Sequence, residues 1–123
     1  MLGYFILEGR KPVPCKDLSE WASSISQQES RRVGLTTIDD IEVSTVFMGL
    51  DHNYSNSGPP ILFETMVFRG LNSGDCYRYR TWEEAEAGHA EVVSMIFKEV
   101  CLGLLAEHSP ILAGLFPGEK NDD

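Results

Sequence analysis

The sequence predicts an α+β domain: an antiparallel β-sheet meander packed against a long C-terminal helix, with one shorter N-terminal helix. Three observations lead there. Two runs, "IEVSTVFMGL" (41–50) and "ILFETMVFRG" (61–70), are rich in β-branched and aromatic residues and carry the two-residue period of strands. The stretch "TWEEAEAGHAEVVSMIFKEVCLGLLAEH" repeats its apolar residues at helical spacing. The order strand, helix, several strands, long helix lacks the alternation that builds a parallel sheet. With 123 residues, 42% of them hydrophobic, the chain can enclose one core but not two. Residues 1–116 are expected to form that single domain, and "PGEKNDD" (117–123) a solvated acidic tail.

Tyr4–Leu7 is expected as a first short strand, with Gly9 and "RKPVP" as turn and connection. "DLSEWASSISQQ" follows as a helix. Asp17 is placed to cap its first backbone donors, Glu20 sits three residues later, and Leu18, Trp21, Ala22 and Ile25 form the apolar face. "RRVGLTTI" is a further strand candidate. In 41–50, Ile41, Val43, Thr45 and Phe47 point one way and Glu42, Ser44, Val46, Met48 and Leu50 the other. Apolar residues on both sides suggest a central strand or an oligomer surface. In 61–70, Ile61, Phe63, Thr65 and Val67 oppose Leu62, Glu64, Met66 and Phe68. "GLNSGD" is a turn, and "CYRYR" a short strand with Tyr77 and Tyr79 opposite Arg78 and Arg80. The long helix has Thr81 at its N-cap and Glu84 three residues on. Its apolar stripe is Ala85, His89, Val92, Val93, Ile96, Val100 and Leu104, and Pro110 interrupts the pattern.

Nineteen acidic and ten basic residues give a formal charge of −9. That balance repels phosphate backbones, and Arg31-Arg32 and Arg78/Arg80 make no basic stripe, so nucleic acid is a disfavoured partner. Three dispersed cysteines fit a reduced intracellular protein rather than a disulfide framework. The N-terminus lacks the pattern of a signal peptide, and no apolar run is long enough to span a membrane.

The chemistry concentrates around "GLDHNYSNSGPP" (49–60). Asp51 can bind a hard cation and His52 a transition metal, but Asp51 and Asn53 can equally cap the turn through backbone hydrogen bonds. A calcium loop starting at Asp51 fails, because its sixth position is Asn56 and its twelfth is Leu62. Glu64 interrupts an apolar strand and needs exposure, an arginine such as Arg78 or Arg80, or a ligand. His89 lies on the helix's apolar stripe beside Gly88, where a hydrogen-bonded core histidine competes with a site residue. If the loop folded over the helix start, Asp51, His52, Glu64 and His89 could hold a divalent metal and activate water for phosphoester hydrolysis. No other cofactor is predicted. His108 lies near the helix end, where its charge would suit the dipole.

"VSTVFMGLDHNYSNSGPPILFETMVF" and "YRYRTWEEAEAGH", with the opening "YFILEGRKPVP" and "EWA", resemble a small family of uncharacterised proteins found in bacteriophage and prophage genomes. The residues carrying the resemblance include Ser44, Thr45, Asp51, His52, Pro60, Glu64, Thr65, Arg80, Thr81, Glu84 and His89. It implies synthesis in the cytoplasm of an infected or prophage-carrying bacterium and assigns no catalytic role. The expected function is a small acidic accessory or binding protein with a host protein or small ligand as partner. Its ligand-binding candidates are Asp51, His52, Asn53, Glu64, Arg80 and His89. The alternatives are the metal-dependent hydrolase and a structural virion-associated protein. The apolar segment "ILAGLF" (111–116) adds homo-oligomerisation as an expectation.

Overall fold

A computed structural model describes residues 3–55 and 57–107, with side chains to residue 104. The expectations for His108, "ILAGLF" and the acidic tail lie outside the described residues. The fold is α+β, as the sequence predicts. Four antiparallel strands run in the order β3 (Arg32–Ile38), β4 (Ile41–Phe47), β5 (Phe63–Phe68) and β6 (Cys76–Tyr79). The helix α3 (Trp82–Glu107) crosses one face of this meander. A separate hairpin pairs β1 (Phe5–Glu8) with β2 (Lys11–Pro14), and α1 (Leu18–Ile25) and the single turn α2 (Gln28–Arg31) lead into the sheet.

The alternation in β4 and β5 is realised as written. Val43, Thr45 and Phe47 face α3 together with Phe63, Thr65 and Val67, and all six are buried to within 1%. Ala85, Val92 and Ile96 of α3 close over them. Each large apolar side chain enclosed this way contributes roughly 1.5–3 kcal/mol. Phe47, Phe63 and Trp82 pack ring on ring, with centroids 5.3 and 6.1 Å apart along the series. Glu42, Ser44, Val46, Glu64 and Met66 project from the opposite, half-exposed face.

Three elements differ from expectation. "KPVP" forms β2 rather than a connection. The two-residue turn at Gly9-Arg10 makes Glu8 and Lys11 a hydrogen-bonded pair, so Pro12 and Pro14 fall at alternate positions whose missing N–H would point outward. The Cys15 N–H donating to Tyr4 O at 2.8 Å continues that alternation. In α1 Asp17 caps Ser19 and Glu20 as expected, and Trp21 and Ile25 pack inward, but Leu18 is 59% exposed and Ala22 is also exposed. A helix of eight residues meets the rest of the fold along one narrow line, where the Trp21 indole donates to Gly49 O at 3.0 Å. Of the expected α3 stripe, Leu104 is 51% exposed. Among the described residues no helix is long and apolar enough to cross a membrane.

Candidate functional site: a braced loop and the cleft it walls

The 49–60 segment is a loop organised by side chains. Asp51 Oδ1 accepts from Asn53 N at 2.8 Å and from Ile61 N at 2.9 Å, closing a short Asx turn and the whole loop with one atom. Asn53 does the same inside it. Its Oδ1 accepts from the Ser55 N–H and hydroxyl, and its Nδ2 donates to the carbonyls of Ser57 (2.7 Å) and Pro59 (2.9 Å). Arg80 then ties the loop to the sheet, donating from Nε to Pro59 O at 3.0 Å.

Pro59 and Pro60 thereby form one wall of a cleft of about 380 Å³. Phe5 and Pro12 of the β1–β2 hairpin and Leu62 complete the apolar lining; Lys11, Arg80, Thr81 and Glu84 supply the polar groups. A second hollow of similar size adjoins it, sharing Lys11, Pro12 and Thr81 and continuing past Arg10, Trp82 and Glu83. The helix start at its edge is reciprocally capped: Thr81 Oγ1 accepts from Glu84 N, and Glu84 Oε1 accepts from Arg80 N, both at 3.0 Å. Arg10 lies over the Trp82 ring at 5.3 Å and makes a long, exposed contact of 3.9 Å with Glu86, a pairing that is worth little in water. Lys11 and Arg80 make no ion pair among the described residues.

His89 sits at the sheet–helix interface, between Thr36 Oγ1 (2.8 Å from Nε2) and Thr45 Oγ1 (2.7 Å from Nδ1). Thr45 continues to Thr65, and Thr65 to the Tyr79 hydroxyl. Thr45 and Thr65 are fully buried, so the chain of hydroxyls satisfies groups that would be costly alone. Burial holds the His89 ring below the ordinary histidine pKa. Two glycines permit this packing. A Cβ at Gly34 would lie 2.9 Å from the His89 ring, and one at Gly88 would lie 2.2 Å from Tyr79 Cε1.

Glu64 projects from the other face of the sheet, because its neighbour Thr65 points to Thr45 and His89. Directly across the strands, Arg78 Nε donates to Glu64 Oε2 at 3.1 Å, and the Cys76 thiol donates to the same oxygen at 2.8 Å. Partial burial, and then the Glu64 carboxylate, push the Cys76 thiol pKa up. Of the two expected arginine partners, Arg78 takes the role and Arg80 turns to the loop. His52 donates from Nδ1 to Leu50 O at 2.9 Å, since a carbonyl only accepts, and its ring lies 6.0 Å from that of Tyr54.

The expected convergence of Asp51, His52, Glu64 and His89 is therefore not formed. Glu64 and His89 are separated by the sheet, and Asp51 Oδ1 is occupied by backbone donors. Among the described residues no three His, Cys, Asp or Glu side chains come together in a way that could hold a metal ion. What the fold does gather is Asp51, Asn53 and Arg80, which brace the cleft wall. Sequence reasoning missed Phe5, Lys11 and Pro12 on the facing wall. The signal was the spacing of Pro12 and Pro14 after Gly9, which suits an edge strand as well as a turn. Comparison of the chain with protein-family models, with curated proteins and with solved structures finds no match.

Proposed function

We propose that this protein is a small acidic binding module of the accessory kind, and that it engages its partner in the cleft between the 49–60 loop, the β1–β2 hairpin and the start of α3. One observation carries the reading. A cleft with apolar walls and few, fixed polar groups has the composition of a ligand site, and its volume of about 380 Å³ is within the usual range. Asp51, Asn53 and Arg80 fix the wall before any ligand arrives, which reduces the ordering cost of binding. Binding is favoured over turnover because both described histidines are engaged away from the cleft. The resemblance to phage and prophage proteins supports a bacterial cytoplasm as the setting and a host protein or small ligand as the partner.

A fragment screen followed in two-dimensional ¹⁵N–¹H spectra tests the site. Hits should perturb the amides of Phe5, Lys11, Leu62, Arg80 and Thr81. Pro59→Trp, an exposed position whose carbonyl bonds survive the change, should fill the cleft and abolish those shifts. Hits confined to the Glu64–Arg78 face would refute the assignment.

A further inference from the structure

We infer that the cleft recognises a peptide segment that carries a carboxylate close to an apolar side chain. The inference rests on the binding function proposed above and specifies its partner.

The argument begins from shape. The two hollows share Lys11, Pro12 and Thr81, so together they form a groove running along the hairpin past the first turn of α3. A groove of two joined hollows suits a peptide better than a compact molecule. The first hollow is apolar, walled by Phe5, Pro60 and Leu62, and takes an aliphatic or aromatic side chain. Charge gives the second requirement. The protein carries a net −9 and only ten Lys and Arg residues, yet three of them, Arg10, Lys11 and Arg80, border this groove. Arg10 is engaged with Trp82 and Glu86. Lys11 and Arg80 flank the apolar hollow and lack an acidic partner among the described residues. Of the carboxylates here, Glu84 is turned to the Arg80 N–H, whereas Glu83 borders the second hollow only. Two cations border each hollow against one carboxylate, so a ligand carboxylate is favoured beside Lys11, which both hollows share. The acid then lies close to the apolar side chain that fills the first hollow.

The test uses the full chain, ¹⁵N-labelled, at physiological salt so that the overall negative field is screened. It is titrated with N-acetylated, C-amidated peptides Gly-Leu-Asp-Gly-Gly, Gly-Leu-Asn-Gly-Gly and Gly-Ala-Asp-Gly-Gly. The Leu-Asp peptide should shift Lys11, Leu62, Arg80 and Thr81, and each analogue should bind about fivefold more weakly. Lys11→Met, which keeps the aliphatic stem, should remove the preference for Asp over Asn. Equal affinity for the Asp and Asn peptides overturns the carboxylate requirement and with it the inference. If fragments shift these amides and no peptide does, the inference falls while the binding site stands. If nothing shifts them, the proposed site itself falls.

Discussion

Gly88→Ala tests a close approach of α3 to the sheet, and its sign depends on a single neighbour. In an exposed helix interior the change would stabilise by about 1 kcal/mol, because alanine is the better helix former. Here the new methyl would lie 2.2, 2.3 and 2.4 Å from Cε1, Cζ and the hydroxyl oxygen of Tyr79. Carbon pairs are comfortable from about 3.5 Å, so the ring must withdraw by more than about 1 Å. Withdrawal takes the phenol off Thr65 and forfeits a hydrogen bond worth about 1 kcal/mol, in addition to an overpacking cost of about 1–3 kcal/mol. The net expectation is destabilisation by about 1–3 kcal/mol, a Tm lower by about 3–15 °C. The double variant decides the cause. In a Tyr79→Val background the clash has no partner, and Gly88→Ala should become stabilising by about 1 kcal/mol. Urea unfolding of the four proteins measures both signs. A stabilising Gly88→Ala in the otherwise natural chain, or the same cost in both backgrounds, would refute the assigned contact.

Three further outcomes follow from other parts of the molecule. His89 is held below its unfolded pKa, so the unfolded chain binds more protons as pH drops through about 6.5; stability should fall there, level off below the folded value, and lose that part of its slope in His89→Gln, read by urea unfolding between pH 5 and 8. Glu64→Gln removes the neighbouring negative charge from Cys76, so the rate of Cys76 alkylation should rise at neutral pH and its pH profile shift downward, and an unchanged profile would count against the contact. Asp51→Ala leaves the N–H groups of Asn53 and Ile61 without their acceptor and should cost about 1–3 kcal/mol, with faster amide exchange at Ile61, whereas Asp51→Asn retains Oδ1 and most of the stability.

The sheet was legible because its information is local. A period of two assigns the residues of β4 and β5 to faces, and burial follows it through Val43–Phe47 and Phe63–Phe68; it breaks just before β5, where Leu62, expected on the Glu64 face, is buried beside Phe63 because the chain leaves the sheet there. The Glu64–Arg78 pair was within reach for the same reason: hairpin pairing sets the two strands opposite each other. Leu18 was misplaced because propensity and period describe a helix but not the extent of what packs against it. Proline misled at β2 through a rule that is sound for central strands and relaxed at an edge. The cleft was the least legible feature. Its walls come from residues 5–12, 59–62 and 80–84, and no local period relates three segments so far apart in the chain.

The fold also separates two classes of polar residue that look alike in sequence. Thr45, Thr65 and His89 are satisfied against each other inside the sheet–helix interface, where a broken partner would strand its neighbours. Such a network positions α3 on the sheet, and through it Thr81 and Glu84 at the edge of the cleft. Asp51 and Asn53 instead spend their hydrogen bonds on a surface loop that a hairpin does not need, since a turn of two residues would join β4 to β5. A long loop that adds no core yet is braced by two side chains and the arginine that follows β6 holds its shape without a ligand, as the proposed binding cleft requires. The bracing ends at Pro59 and Pro60, which line the cleft together with Lys11.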